Sequence, residues 1–232
     1  FPEALIALIL RDIIAALIYI HSQHYVHGAI KAENILLNSK KAMVSNFCGC
    51  RTFVKHGKIE KCLYGLTNEK ETHLNWTAPE VLHQNLYGYT EKIDIYSIGI
   101  TSCEMANGFQ PFKDTEPTLM YTDKIRGNMS LVLDSFRTTD NKGSIYQYDA
   151  RENWDDFHQF VEICINKNPI RRWNASKLMT HSFLKQCRNT TMSEQLKDLC
   201  HNFSTFTNEN NELAFKRSAN TNQCNDGAKW YF

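Results

Sequence analysis

Residues 27–34 have the sequence His-Gly-Ala-Ile-Lys-Ala-Glu-Asn and are the most informative segment of the chain. Short apolar segments that suit β-strands stand on either side of it, at 25–26 and at 35–37. A polar turn and the apolar segment 42–44 follow, which predicts a hairpin with the second of these strands. The His, Lys and Asn side chains of 27–34 are therefore predicted to lie in a loop between two strands.

Helical periodicity dominates the rest of the chain. Helices are predicted near 78–86, 91–107, 115–127, 154–166 and 174–186. Residues 46–75 sustain no period, and long segments of this kind in compact domains are functional or mobile. Residues 134–152 are polar and are predicted to form a loop. Beyond residue 187 the chain becomes poor in apolar residues, which predicts a domain over 1–187 and a flexible polar tail over 188–232.

The segment 4–20 is almost wholly apolar and has the length of a short membrane span. Arg11 and Asp12 stand at its middle, and each charge costs about 2.5–3.5 kcal/mol at a bilayer centre. We therefore predict a helix that is buried inside a large domain.

Composition limits the function classes. The chain has 232 residues, of which 42% are apolar and 22% charged, as in a globular protein. A net charge of +1 gives no indication of a nucleic acid or an anionic membrane as partner. The eight cysteines include no C-x-x-C pair, which is typical of the reduced thiols of a cytoplasmic protein.

Four further motifs follow the stretch 27–34 along the chain. They are Asn46-Phe47-Cys48, Trp76-Thr77-Ala78-Pro79-Glu80, Asp94-Ile95-Tyr96-Ser97-Ile98-Gly99 and Asn168-Pro169-Ile170-Arg171-Arg172. In order and spacing the five stretches resemble the C-terminal lobe of protein kinases, with 46–80 as the activation-segment equivalent. The resemblance implies a mainly α-helical, kinase-like lobe with a small β-hairpin. Since no Gly-rich loop and no V-A-I-K-type lysine precede it, we expect the small N-terminal lobe to be absent from this chain.

The same resemblance shows what the reacting centre lacks. Kinases carry H-R-D-L-x-x-x-N, whose Asp accepts the substrate proton, and D-F-G, whose Asp holds Mg²⁺. Here Gly28 and Ala29 replace the Arg and the first Asp, while Asn46 and Cys48 replace the second Asp and the Gly. A methyl group accepts no proton, and an amide supplies no anionic ligand for a hard cation. The resemblance thus implies a pseudokinase that has no catalytic residue and no metal site.

Other residues of these motifs are architectural in kinases. The resemblance implies a buried ion pair between Glu80 and Arg172, bonds from backbone amides of 27–29 to Asp94, and a packed structural role for His27. Two roles are open for the side chains of Lys31 and Asn34. They could make vestigial contacts to a nucleotide, or they could form hydrogen bonds that stabilise the loop.

Finer detail is similar to the sterile-twenty-related adaptor (STRAD) pseudokinases. The matching runs are 79–86, 97–101, 104–114 and 181–185. Members of that family end in the tripeptide W-E-F, and this chain ends in Trp230-Tyr231-Phe232, which keeps both aromatic residues. Two large aromatic side chains on a polar tail suit a peptide docking site, although they could instead pack on this domain's own surface.

The family resemblance implies an adaptor that binds a liver kinase B type serine/threonine kinase and activates it allosterically. The aromatic tail would bind a helical-repeat scaffold of the calcium-binding-protein-39 family. Segment 49–75 and the helix near 115–127 are the predicted partner surfaces. The resemblance implies a cytoplasmic location, with shuttling to the nucleus left open, and neither a nucleic acid nor a membrane as partner.

Two alternatives stand beside this interpretation. A residually active or ATP-binding kinase would need Glu33 as base and a metal held by Asn34 and Asn46 alone. A degenerate fragment would have no partner. No cofactor is expected, and ATP would bind only if the small lobe were present, because that lobe cradles the phosphates.

Overall fold

The structure is a computed structural model that describes residues 1–65, 74–83, 87–127, 137–139, 145–147 and 154–199. The chain divides into two compact units, Phe1–Met192 and Ser193–Phe232. The described part of the second unit, 193–199, is helical. The described helices of the first unit are α1 (Glu3–Ser22), α2 (Pro79–Leu82), α3 (Lys92–Asn107), α4 (Pro117–Arg126), α5 (Asp155–Ile165), α6 (Ala175–Leu178) and α7 (Ser182–Lys185). Short 3₁₀ turns lie at Ala32–Asn34, Phe47–Gly49, Pro169–Arg171 and Gln186–Asn189.

Helix α1 is a core helix, as its sequence predicts. Among the described helices it is the one that is long and apolar enough to cross a membrane by length and composition. Nine of its side chains are nevertheless buried by the protein, from Leu5 to Leu17. Because the apolar face is already covered by protein, the hydrophobic effect that would drive bilayer insertion acts within the fold.

Helix α3 forms the centre of the core and is buried on all sides. Only Lys92 and Glu104 of its residues are not buried, which is the pattern of a helix surrounded by other elements. It packs closely on α5 at Gly99. A Cβ atom at Gly99 would lie 2.6 Å from Ile165 Cγ2 and 2.7 Å from Cys164 Cβ, so a larger residue would push the two helices apart.

The strands are short and antiparallel. Strands β2 (Ile35–Leu37) and β3 (Ala42–Val44) form the predicted hairpin, with Leu36 opposite Met43. Strand β1 (Tyr25–Val26) is also present, and its partner is β4 (Arg51–Thr52). Strands β5 (Val54–Lys55) and β6 (Lys58–Ile59) pair with each other.

The prediction of irregular structure throughout 46–75 is therefore wrong for its first part. This part contains a 3₁₀ turn and three short strands before residue 60. Two-residue strands are too short to show alternation, and β4 is stabilised by pairing with β1, which lies much earlier in the chain. Residues 66–73 lie outside the described residues.

Two further predictions need correction. The single helix predicted at 174–186 is two short helices, α6 and α7, because His181 has extended backbone and its Nδ1 accepts a hydrogen bond from the Phe183 amide at 3.2 Å. The predicted loop 134–152 contains strands β7 (Arg137–Thr139) and β8 (Ile145–Gln147), which pair antiparallel. Their β-branched and aromatic residues favour strands even in a polar stretch.

Candidate functional site

The loop 27–34 is held in place by one buried carboxylate, Asp94. Its Oδ2 accepts a hydrogen bond from the His27 amide at 2.9 Å, and its Oδ1 accepts one from the Gly28 amide at 2.8 Å. The His21 Nε2–H also donates to Oδ2 at 2.9 Å. Asp94 is fully buried, so these bonds offset the cost of removing its charge from water. The expected bonds from the loop amides are thus present at two residues.

The third amide of the loop, that of Ala29, bonds instead to His27 Nδ1 at 3.3 Å. Because Nδ1 accepts this bond, the proton of the neutral ring lies on Nε2, which donates to the Ser45 carbonyl at 3.2 Å. The ring is completely buried and meets the Phe47 ring edge-on, with centroids 4.9 Å apart. His27 is therefore placed as a packed, hydrogen-bonded residue of the core.

Ala29 occupies the position at which the resemblance places the catalytic base. It is 4% exposed and lines a cavity of about 30 Å³ together with residues of the 76–81 segment and of α3. The cavity has little more room than a water molecule. Of its lining side chains, Ser97, Thr77 and Tyr89 carry hydroxyls, and none is a carboxylate or a histidine. Among the described residues that line the cavity with Ala29, the hydroxyls are thus the side-chain groups that contain oxygen.

Asn34 and Asn46 contact one another through their amide groups. Asn34 Nδ2 donates to the Ala29 carbonyl at 2.8 Å, and Asn46 Nδ2 donates to Asn34 Oδ1 at 3.3 Å. The Oδ1 of Asn46 accepts a weak bond from the Cys48 amide at 3.4 Å. Asn46 has φ 61°, a left-handed conformation that Asn tolerates better than most residues. These contacts agree with the interpretation that Asn34 stabilises the loop through hydrogen bonds.

The part of the chain that the structure describes contains no group of three or more His, Cys, Asp or Glu residues arranged to hold a metal ion. Cys48 is exposed, and its thiol belongs to no such group. The amide oxygens of Asn34 and Asn46 are neutral, and hard divalent cations prefer carboxylates. The donors at this loop are a poor match for Mg²⁺.

Lys31 is buried, and its ammonium group interacts with neighbouring residues of the chain. Its Nζ lies 2.6 Å from Glu33 Oε2 and 5.6 Å from the centre of the Trp76 ring. The Glu33 side chain is 74% exposed, so the pair lies at the surface of the loop. The Glu33 carboxylate that the alternative kinase reading would use as base is thus bonded to the Lys31 ammonium.

Glu104 and Trp76 also belong to the site, although neither is among the predicted site residues. Glu104 Oε2 accepts bonds from the Ala32 amide at 3.1 Å and from Trp76 Nε1–H at 3.0 Å. Burial raises the pKa of the Glu104 carboxyl above its ordinary value, and these bonds oppose the shift. Glu104 therefore ties the loop 27–34 to the segment that ends at Glu80. Both residues lie in quoted motifs, but no pattern in the sequence pairs them.

The expected ion pair between Glu80 and Arg172 is present and is bidentate. Arg172 Nη1 and Nη2 lie 2.6 and 2.7 Å from the two carboxylate oxygens of Glu80. The guanidinium also donates to the carbonyls of Asn166 at 2.7 Å and Lys92 at 3.1 Å, and it lies 5.0 Å from the Tyr96 ring centre. Arg172 is 1% exposed and Glu80 is 7% exposed, so each charge depends on the other.

Comparison with known proteins agrees with this geometry. A family model described as the protein kinase domain matches residues 1–184. The chain belongs to the protein kinase family. Within that family it is similar to the STE20-related kinase adapter proteins, and the predicted resemblance to the STRAD pseudokinases is confirmed.

Three of these relatives span vertebrates and a nematode. STE20-related kinase adapter protein alpha from Mus musculus is 36% identical over 235 residues, which cover 89% of this chain and 54% of that protein. STE20-related kinase adapter protein beta from Homo sapiens is 28% identical over 230 residues, with coverages of 84% and 55%. STE20-related kinase adapter protein strd-1 from Caenorhabditis elegans is 31% identical over 185 residues, with coverages of 77% and 47%. The chain spans about half the length of these curated relatives.

Proposed function

We propose that this chain is a kinase-fold adaptor that transfers no phosphate and binds a partner serine/threonine kinase. One observation carries the proposal: the kinase framework is complete at Glu80, Asp94 and Arg172, while the two positions for the reacting carboxylates hold Ala29 and Asn46. Phosphoryl transfer depends almost entirely on positioning and charge stabilisation. Without either carboxylate, the remaining kinase framework can support the binding of a partner but not phosphoryl transfer. The names of the relatives as adapter proteins support the same conclusion.

The competing function is a residually active kinase. It would require Glu33 to act as base. The Glu33 carboxylate, however, forms an ion pair with the Lys31 ammonium at 2.6 Å. It would also require Asn34 and Asn46 to bind a metal, whereas their amide groups bond to each other. Both requirements disrupt contacts that the fold already makes.

We infer that the partner is a kinase of the liver kinase B type and that binding shifts its conformational equilibrium. Contacts made only to the active conformation of the partner raise the population of that conformation. Two surfaces offer apolar side chains for such contacts. In the segment from 49 onward, Val54, Ile59 and Tyr64 are 39%, 60% and 53% exposed, and on α4 Leu119 is 54% exposed. Exposed apolar groups of this kind mark interaction sites.

The aromatic tripeptide Trp230-Tyr231-Phe232 is the proposed site for the helical-repeat scaffold. It lies outside the described residues, so the proposal depends on the sequence alone. Tyr231 replaces the acidic residue of the family tripeptide, and we propose that the two flanking aromatic residues supply most of the binding energy.

A phosphate-transfer assay tests the first part of the proposal. The chain is incubated with radiolabelled ATP and a generic protein substrate, beside its Asn34→Ala variant. We expect both proteins to give background incorporation. Transfer by the chain that the Asn34→Ala substitution abolishes would establish a working kinase and overturn the proposal.

Activation of the partner kinase tests the binding surface. We expect Val54→Asp and Ile59→Asp to abolish the increase in partner activity, because a charge on an exposed apolar contact must be desolvated on binding. Lys58→Ala, on the same hairpin, is the matched control and should retain most of the activation. Full activation by both Asp variants would exclude this hairpin as the contact.

Binding of the scaffold tests the tail. Deletion of 230–232 should abolish capture of the helical-repeat scaffold, and Trp230→Ala or Phe232→Ala should each weaken it by about tenfold or more. Tyr231→Ala is the control and should bind nearly as well as the unmodified chain. Undiminished binding after the deletion would remove the tail from the proposal without affecting the surface at 49–65.

A further inference from the structure

Lys124, on helix α4, is the most unusual buried charge of the described chain. Its residue is 1% exposed, and its Nζ donates to three backbone carbonyls, those of Leu74 at 2.7 Å, Asn75 at 2.7 Å and Thr77 at 2.9 Å. A protonated lysine has three N–H donors, so each donor is used. A neutral amine has two and would leave one of these carbonyls without this bond. The geometry is that of an ammonium ion bound by a turn of backbone.

The surroundings of Lys124 contain rings in place of a carboxylate. Its Nζ lies 5.4 Å from the centre of the Tyr96 ring and 5.3 Å from that of Phe112. Among the ion pairs of the described residues, none includes Lys124. Phe112 has φ 63°, a strained conformation for a bulky residue, and this conformation accompanies the position of its ring over the ammonium.

A buried ammonium is costly, and burial lowers the pKa of Lys124 well below its ordinary value. A leucine or methionine would fill similar space without that cost. The carbonyl bonds are therefore what the charged side chain adds to the protein at this position.

These bonds converge on the end of the activation-segment equivalent. All four carbonyls from 74 to 77 accept a hydrogen bond from a buried side chain: three from Lys124, and that of Trp76 from Ser97 Oγ at 2.9 Å. The Trp76 indole is itself bonded to Glu104. Four consecutive peptide groups are thus fixed from the side of α3 and α4, next to the cavity that Ala29 lines.

We propose that Lys124 is a positioning residue that fixes the end of this segment permanently and without phosphorylation. In kinases that are switched by phosphorylation, a phosphate orders the segment by pairing with arginines, including the one before the catalytic Asp. This chain has Gly28 at that position, which has no side chain to pair with a phosphate. Lys124 performs the ordering with N–H donors that the chain itself carries, and no modification is needed to supply them. This role concerns the shape of the chain itself and does not depend on any partner.

Amide hydrogen exchange tests the proposal on the unmodified chain. The Thr77 amide, which donates to the Leu74 carbonyl at 3.2 Å, reports on the turn. We expect it to be strongly protected, and we expect phosphatase treatment to leave its exchange rate unchanged. An unprotected amide, or protection that is lost with phosphatase, would overturn the proposal.

Substitution of the lysine gives the second test. Lys124→Met keeps an unbranched side chain, one heavy atom shorter, and removes the donors. We expect exchange at 74–77 to rise by about tenfold or more while exchange in α1 and α3 changes little. The control is Lys167→Met, since Lys167 is exposed and donates to a single carbonyl, that of Arg126, at 3.2 Å. A uniform rise over the whole domain would mean that Lys124 only stabilises the fold, and no rise at 74–77 would mean that it does not anchor the segment. If the Met variant does not fold, an unprotected Thr77 amide in the unmodified chain, or protection that phosphatase removes, would still overturn the proposal.

Discussion

Two regions of this molecule correspond to parts of the kinase fold, and they differ in how many of the polar side chains of kinases they keep. In the framework region, Glu80 and Arg172 form a buried bidentate pair and Asp94 accepts three hydrogen bonds. In the reacting region, Ala29 presents a methyl group and Asn46 bonds to another amide. The fold and the chemistry of a kinase are thus carried by different side chains.

The physical reason lies in what each charge does for the folded state. A framework carboxylate satisfies amides and a guanidinium that would otherwise be buried without partners, so its removal destabilises the fold. A catalytic carboxylate faces substrate and metal and has fewer partners within the protein. Its replacement by Ala29 leaves the neighbouring backbone bonds to Asn34 and His27 in place.

The largest effect is expected when the framework pair is broken. Arg172→Met leaves the Glu80 carboxylate buried without its partner, and we expect a loss of about 3–5 kcal/mol in the free energy of unfolding. Urea denaturation followed by circular dichroism measures it. Arg171→Met, at the neighbouring exposed position, is the control and should change stability by less than about 0.5 kcal/mol. Equal effects of the two substitutions would mean that the pair is not part of the framework.

A smaller loss is expected at Asp94. In Asp94→Asn one acceptor oxygen becomes an NH₂ group that faces the donor of His27 or Gly28, so we expect a loss of about 2 kcal/mol. Exchange of these two amides should rise in parallel. Asp114→Asn, an exposed control, should match the unmodified chain in both measurements. Unchanged exchange at 27–28 would show that Asp94 does not hold the loop.

A carboxylate introduced at position 29 tests the reacting region in the same way. Ala29→Asp places a charged group beside a cavity of about 30 Å³, and we expect a loss of about 1–3 kcal/mol with no phosphate transfer, because Asn46 still supplies no anionic metal ligand. Radiolabelled phosphate incorporation and thermal melting test both statements. Transfer by this single variant would mean that Ala29 alone separates the chain from activity.

The smallest effect concerns pH. Because burial raises the pKa of Glu104 above 4.5, the folded state holds this proton more tightly than the unfolded state does. The resulting stability is complete below pH 4.5 and is lost as the pH rises through the raised pKa. Glu104→Gln removes this titration and can still accept bonds from Ala32 and Trp76.

The difference in melting temperature between the two proteins should therefore shift in favour of Glu104→Gln as the pH rises from acid to neutral. Lys31 and Glu33 face Glu104 with opposite charges in both proteins, so their contributions largely cancel in the difference. A difference that stays constant with pH would contradict the raised pKa.

The resemblance of five ordered motifs to the kinase C-terminal lobe implied the kinase fold, the bond between Glu80 and Arg172, and the role of Asp94 in holding the loop. These contacts recur wherever the motifs do. The long apolar run with two central charges was sufficient to predict α1 as a buried helix, and helical periodicity was sufficient to predict α3. Periodicity failed at β4, where two residues cannot show a period, and at 174–186, where the side chain of His181 caps a new helix inside a helical pattern.

The contacts around 74–77 could not be predicted from the chain. Lys124 is 50 residues from Leu74, and the bonds join a side chain to backbone carbonyls, which every residue carries. Such bonds do not require a particular amino acid at the accepting position, so the sequence gives no sign of them. The same holds for Glu104 and Trp76, which are 28 residues apart.

Covalent structure alone sets the side chains at three positions of the kinase motifs: a methyl group at 29, an amide at 46 and a hydrogen atom at 28. No folding changes those groups, so positions 29 and 46 carry no carboxylate whatever the fold. The partners of the remaining polar groups depend on the folded arrangement, which joins the Asn34 amide to that of Asn46 and the Lys124 side chain to three carbonyls. A polar group removed from water must find a partner, and distance in space, not along the chain, selects it.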